Sequence, residues 1–192
     1  MSTPVLHVLA GPNGSGKSTF VREVLGPVTH LLFINADEIA EQRWPGRAEE
    51  HAYDASAAAA IARDQAIADR RSIITETVFS HPSKVDLIKR GLEAGYLVEL
   101  HVMLVPEDLA VARVAHRVTL GGHTVPEDKV RQRYRRLWAL VAEARQIVDR
   151  ATFYDNTNSK PFRPVAVYER GRPVGIPAWP PWVAPEITTV TG

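Results

Sequence analysis

Residues Gly11-Pro12-Asn13-Gly14-Ser15-Gly16-Lys17-Ser18-Thr19 carry the most legible chemistry in this chain. They match the phosphate-binding loop pattern G-x4-G-K-[ST] in full. The run before them, Val5-Leu6-His7-Val8-Leu9-Ala10, reads as a buried strand, and Phe20 to Leu25 continues as a helix. That strand–loop–helix context is what the pattern requires. Gly11, Gly14 and Gly16 let the backbone curl, so that N–H groups from Asn13 to Thr19 point at phosphate oxygens beside a helix N-terminus. Lys17 then reaches the β- and γ-phosphates of a nucleoside triphosphate, and the Ser18 hydroxyl holds Mg²⁺. The plain alternative is a glycine-rich turn before an ordinary helix, which gives Lys17 and Ser18 no task.

A bound triphosphate needs an acceptor and something to align it. In open α/β sheets the reacting groups gather at the carboxyl ends of the strands. Asp37 follows the second strand in Ile34-Asn35-Ala36-Asp37, and Glu76 follows the third in Ile74-Thr75-Glu76-Thr77-Val78-Phe79-Ser80. On position alone, Asp37 serves equally as the N-cap of the segment that follows. Glu76 ends a buried strand, where a carboxylate without a partner is costly. Thr77 and Ser80, just beyond it, are taken with it as acceptor contacts.

Six arginines lie between positions 113 and 136: Arg113, Arg117, Arg131, Arg133, Arg135 and Arg136. Phosphoryl transfer depends on positioning and on neutralising charge over the equatorial oxygens, which the planar guanidinium suits. On a helix, Arg113 and Arg117 share a face, as do Arg131 and Arg135, and Arg133 and Arg136 share another. Ordinary surface statistics make Arg131 and Arg135 a solvated face. His123, in a glycine-flanked loop, reads either as a surface residue or as a donor to a phosphate oxygen.

The elements that must position these groups alternate along the chain. Strands are expected at 31–34, 72–75, 96–105, 151–155 and 164–168, and helices at Ala48 to Arg70, Pro82 to Ala94, Glu107 to Arg117 and from Pro126 to about Arg150. Thr119 to Val125 reads as a flexible loop and Arg170 to Pro173 as a turn. Alternating strands and helices imply a mainly parallel, doubly wound sheet. Residues 1–175 form one domain on this reading, with an arginine-bearing lid at about 113–136. From Ile176 to Gly192 follows a tail in which Pro177, Pro180, Pro181 and Pro185 exclude regular structure. It packs as an extended strap through Trp179 and Trp182, or it stays mobile.

Composition excludes more than it assigns. The chain has 192 residues and no cysteine, which removes disulfides, thiolate zinc sites and cysteine nucleophiles. Neither a signal peptide nor an apolar run of membrane-spanning length is recognisable, so a cytoplasmic protein is expected. The formal charge of +1 argues against a surface that coats nucleic acid.

The chain resembles the compact, zeta-like branch of the zeta toxin family of P-loop kinases. Five blocks carry the likeness: 11–19; Ile34-Asn35-Ala36-Asp37; Ile74-Thr75-Glu76-Thr77; Ala94-Gly95-Tyr96-Leu97-Val98-Glu99-Leu100; and Gly121-Gly122-His123-Thr124-Val125-Pro126-Glu127 with Arg133-Tyr134-Arg135-Arg136. The resemblance implies an α/β P-loop kinase fold with helices on both faces of the sheet. It implies transfer of the γ-phosphate of ATP or GTP, with Mg²⁺, to the 3′-hydroxyl of UDP-N-acetylglucosamine, and restraint by a protein antitoxin. By motif position Asp37 becomes the catalytic base, and Glu76, with Thr77, Ser80 and His123, binds the acceptor. Lys17 and Arg117 become catalytic cations. Where the founding toxins carry a second lid arginine this chain has glycines and His123, so Arg133 or Arg136 supplies that charge. Two other readings stand beside this one: a P-loop kinase for another hydroxyl (a nucleoside, a nucleotide cofactor or a nucleic-acid end), and a regulatory nucleotide-binding module without catalysis.

Overall fold

The central strand, β1 (Val5–Ala10), is buried along nearly its whole length, as an apolar run without alternation requires. In this computed structural model, which describes residues 3–119, 125–158 and 162–189, it lies between β3 (Ile73–Glu76) and β4 (Leu97–Leu104). β2 (Leu32–Ile34) flanks β3 and β5 (Arg150–Asp155) flanks β4, all parallel. β6 (Arg163–Glu169) and β7 (Arg172–Pro173) extend the β5 edge antiparallel, giving the seven-stranded order β2-β3-β1-β4-β5-β6-β7.

Side-chain alternation sorts the strands' apolar residues onto two faces. Leu6, Val8, Ile73, Val98, Leu100 and Val102 join one large core with residues from helices α3 (Ala52–Ala68), α4 (Ser83–Glu93) and α6 (Glu127–Ile147). Leu9, Ile74 and Met103 point the other way, onto Phe20 and Val21 of α1, the helical run 17–29 after the loop. The middle of α1 widens into π turns at Val21–Leu25. Pro27, just beyond, has no N–H to give to an i−4 carbonyl. α2 (Ala36–Arg43) and α5 (Glu107–Thr119) follow β2 and β4. The sheet is thus mostly parallel with helices on both faces, the doubly wound class expected from the alternation.

The structure corrects several boundaries. The long helix stops at Ile147 because Val148 turns extended, and Arg150 begins a strand rather than ending a helix. The Asp149 carboxylate accepts Val98 N at 2.9 Å, which fixes that exit. Residues 48–51 are turns, so α3 starts later than expected. The turn at 170–173 is a tight hairpin whose central residues, Arg170 (φ 47°) and Gly171 (φ 76°), both adopt left-handed backbone, after which Arg172–Pro173 pair back onto β6.

The tail is not wholly irregular. Pro185 occupies the first position of a short helix, α7 (Pro185–Thr188), where its missing N–H costs nothing. The segment before it is the strap. Ala178 N donates to Val165 O (2.7 Å), and the Trp179 ring meets Phe153 edge-on at 5.0 Å. Buried Arg145 fastens the end by donating to Ile187 O (2.7 Å) and Thr189 O (3.0 Å) while its guanidinium lies 4.4 Å above the Tyr168 ring. Among the described residues no helix is long and apolar enough to cross a membrane.

Candidate active site

Because β1 is central, its carboxyl end delivers the glycine-rich loop to the middle of the sheet. Gly14 (φ 74°) and Gly16 (φ 90°) both hold left-handed backbone. A Cβ at Gly14 would lie 2.8 Å from Ala110 O, and one at Gly16 would collide with the Asn156 amide. Only glycine meets both demands. Asn156 Nδ2 donates to Ser15 O (2.8 Å), tying the loop to the end of β5. Inside the loop, Asn13 Oδ1 and Ser15 Oγ are buried and have no partner among the described residues. Of the two, the Ser15 hydroxyl can donate to a phosphate oxygen, and the curled glycine-rich backbone around it suits an anion.

Lys17 begins α1 and is almost wholly buried. Its ammonium donates to Pro12 O (2.9 Å) and lies 3.7 Å from Glu76 Oε1. Desolvation pushes the Lys17 pKa down, against the pull of the Glu76 and Asp37 carboxylates, while Arg117 adds to the lowering. Register places Glu76 opposite Leu9, directly beside the loop. Its Oε2 accepts from Ser18 Oγ (2.6 Å) and from Asn35 Nδ2 (2.8 Å). The partner that a carboxylate at a buried strand end demands is therefore threefold.

Asn35, which sequence reasoning left without a role, does two things. Its Nδ2 holds Glu76, and its Oδ1 accepts from Asp37 N (2.7 Å), capping α2. Asp37 is thus not the N-cap; it stands exposed in the first turn, with its carboxylate released from capping. An Asn directly before a helical run was the available signal.

Asp37, Glu76, Thr77, Ser80, Asn13, Arg117 and Arg133 line one cleft of ≈ 290 Å³ with Asn35, Ser56, Arg63 and Lys84. Arg117 comes from the last turn of α5 and Arg133 from the second turn of α6. Arg136, exposed on α6, is not among the lining residues, and His123 lies outside the described residues. Arg131 is occupied by Glu107, Asp108 and Glu127, and Arg135 reaches Glu107, which matches the solvated face expected of that pair. Arg113 faces a different opening, formed by Gly14, Gly16, Thr19, Asn156 and Phe162 on the other side of the loop. Sequence reasoning missed Arg63, inside the helix expected at Ala48 to Arg70, and Asn156, just past the strand expected at 151–155.

Ser18 Oγ and the Glu76 carboxylate are neighbouring hard oxygen donors, with Asp37 in the same cleft, and this donor chemistry fits Mg²⁺. Ser18 would hold the ion, whose charge would offset that of the phosphates.

A phosphate cradle at the centre of the sheet, opening onto carboxylates and arginines across one cleft, places the chain among the P-loop kinases, phosphotransferases that take a hydroxyl as acceptor. Within that class the chain belongs to the zeta toxin family, whose model, described as Zeta toxin, matches residues 1–164. An uncharacterised protein of Haemophilus influenzae is 32% identical over 125 residues, 65% of this chain and 88% of that protein. The fold is shared with the structure of the PezAT chromosomal toxin-antitoxin system of Streptococcus pneumoniae, at a TM-score of 0.58 and 12% identity over 81% of this chain and 69% of that one. It is shared too with shikimate kinase from Acinetobacter baumannii in complex with shikimate, at a TM-score of 0.53 and 19% identity over 82% of this chain and 86% of that one.

Proposed function

We propose that this protein transfers the γ-phosphate of ATP or GTP to a hydroxyl of a small molecule, with the 3′-hydroxyl of UDP-N-acetylglucosamine as the acceptor that its family membership suggests. The observation that carries this reading is the convergence of Lys17, Ser18 and Asn35 on one carboxylate, Glu76, at the mouth of the cleft that Asp37 also lines. Lys17 and the loop amides would bind the transferring phosphates. Asp37, exposed and not engaged in capping, would take the proton of the acceptor hydroxyl as its oxygen attacks the γ-phosphorus and the bond to the β-bridging oxygen breaks. Glu76 would hold the acceptor with Thr77 and Ser80, keeping Ser18 in place with the same group. Arg117 and Arg133 would meet the charge that spreads over the equatorial oxygens. A protein antitoxin that covers the cleft belongs to the same reading.

The test is acceptor-stimulated release of ADP or GDP, measured with UDP-N-acetylglucosamine, shikimate, nucleosides and 5′-hydroxyl oligonucleotides. Stimulation by the UDP-sugar, with Lys17→Ala lowering turnover by about 10²–10³-fold, is expected. Arg133→Ala should lower kcat and kcat/KM together, while Arg136→Ala leaves both within about twofold. Stimulation by another member of the panel alone would replace the acceptor, and tight nucleotide binding without turnover on any of them would remove the kinase reading.

A further inference from the structure

Strand periodicity and register gather three metal-ligating side chains on the sheet face that α1 covers. Glu99 and His101 are two apart on β4 and so share a face. His7 on β1 is the register partner of Glu99 and projects to the same side. Leu9 and Met103, further along the two strands on that face, pack with Phe20 and Val21 of α1. We propose that His7, Glu99 and His101 bind one divalent transition ion of the Zn²⁺ class, apart from the Mg²⁺ position that Ser18 offers. The site lies about 10 Å back along β1 from the phosphate loop, three residues before Ala10, and does not depend on the kinase reading.

The geometry carries the case. One donor atom from each of the three side chains lies within 4.8 Å of the other two. His7 Nδ1 is 3.1 Å from His101 Nε2, and Glu99 Oε2 is 3.9 Å from that same Nε2. Two ligands of one tetrahedral ion stand about 3.3 Å apart when the metal–nitrogen bonds are about 2.0–2.1 Å. The imidazoles are already near that spacing, and Glu99, 38% exposed, is free to swing its carboxylate in. Both rings are buried, and burial lowers the pKa of each, so at neutral pH both are uncharged and carry a lone pair. His101 Nδ1 faces the Tyr154 hydroxyl at 3.5 Å, an outer partner that leaves Nε2 for the metal. Without the ion, the facing nitrogens share one N–H. When the ion enters, His7 keeps its proton on Nε2 instead, both lone pairs turn to the metal, and no net proton is lost. Among the described residues, Glu99 has no ion-pair partner within 4.0 Å except His101, which is neutral. Arg150, beside Glu99 on β5, is paired with Glu169 at 3.2 Å. A divalent ion supplies the missing counter-charge. Two imidazoles and one carboxylate select Zn²⁺ over Mg²⁺, which takes oxygen ligands, and leave a fourth position for water.

The experiment uses the full chain, stripped with a chelator. Zn²⁺ is titrated in by calorimetry with Mg²⁺ in excess, so that oxygen-only sites do not report, and Co²⁺ binding is followed by visible absorption. One ion per chain and the intense bands of four-coordinate Co²⁺ are expected. Free Zn²⁺ at about 100-fold above its Kd should raise Tm by roughly 5–10 °C. His7→Gln and Glu99→Gln should each raise the Zn²⁺ Kd by at least about 10–100-fold, the loss typical of removing even an outer partner of a ligand, and weaken the Co²⁺ bands. His51→Gln removes the exposed His51–Asp54 pair and should change neither reading. A Zn²⁺ Kd unmoved in both His7→Gln and Glu99→Gln would overturn the site. So would the weak bands of six-coordinate Co²⁺ alone, or binding lost in His51→Gln. Glu99→Gln keeps the shape of a partly exposed side chain, so it decides the matter even where His7→Gln fails to fold.

Discussion

Two arginines are packed out of solvent among the described residues, and they are housed differently. Arg145 is 1% exposed beneath the C-terminal strap, where two of its nitrogens give hydrogen bonds to carbonyls near the chain's end and its flat face lies on Tyr168. Arg63 is 8% exposed beside the cleft that Asp37 and Glu76 line, with a single long bond to a threonine hydroxyl and no carboxylate within ion-pair reach among the described residues. Arg145 finds its partners within the chain, so its burial closes a structure. Arg63 lines the cleft, and the carboxylate that acts on its charge, Asp64, is ion-paired with Arg90 at 2.7 Å. Depth of burial is alike at the two positions, and what differs is the partners that the fold brings to each.

The same division extends to the surrounding residues. Substitutions in the cleft should change turnover and spare stability, and those under the strap should do the reverse. The largest effect is expected at Asp37. Asp37→Asn should lower kcat by about 10²–10⁴-fold, the usual loss on removing a general base. Asn35 is the cap, so the fold loses only a favourable helix-dipole contact of about 0.5 kcal/mol. Stopped-flow or steady-state kinetics beside a thermal melt check this. A variant that melts early and still turns over would put Asp37 on the structural side of the divide.

Arg145→Ala is the converse. It removes two charge-assisted hydrogen bonds and the stacked cation, which we expect to cost about 3 kcal/mol, with kcat of the folded enzyme within about twofold. For a chain of this size that is a fall in Tm of roughly 6–12 °C, measurable by calorimetry. An unchanged melting point would mean that the strap is held by Trp179 and Ile187 without Arg145. A lost kcat in fully folded protein would erase the contrast with Arg63.

The smallest effect concerns pH and a third buried site. His7 and His101 stack on neighbouring strands with Nδ1 of one 3.1 Å from Nε2 of the other. Burial, with smaller contributions from the His7 and Arg150 charges, lowers the His101 pKa from 6.5 to about 3. The folded-state pKa lies below the unfolded one, so the unfolded chain binds the proton first. Stability is full above pH 6.5 and falls as pH drops from there towards 3. Between pH 7.5 and 5.5 this histidine should take away about 1 kcal/mol, and His101→Leu should flatten that part of the stability–pH curve whatever its effect on absolute stability. Chemical denaturation at four pH values tests it. An unchanged slope in the variant would assign the acid sensitivity elsewhere.

Much of this molecule was legible before its structure. The phosphate loop was readable because its glycines, lysine and serine are contiguous, and local backbone geometry is set by local sequence. Lys17, Ser18, Asp37 and Glu76 fell where strand ends fall in a doubly wound sheet, so periodicity was enough to bring them to one edge. Arg131 and Arg135 fall on a solvated face by ordinary surface statistics, and their carboxylate partners agree.

What sequence left open depended on contacts between distant segments. On position alone Asp37 read equally as a helix cap and as a functional carboxylate, and only the structure gives the cap to Asn35, whose side chain holds Asp37 N and Glu76 together. Arg113 and Arg117 share a helix, yet the two sides of the loop send them to separate openings. The proline-rich tail gave no periodic signal because its order comes from Trp179 on Phe153 and from Arg145 beneath the chain's end. Arg63 looked like one residue in an alanine helix, and only the approach of α4 set Lys84 beside it at the end of the cleft. Sequence determined which groups could act on phosphate, because that chemistry lies in residue types at short spacing. Tertiary structure decided which charges are left without a partner, because a charge's environment is set by whatever the fold brings within a few ångströms of it.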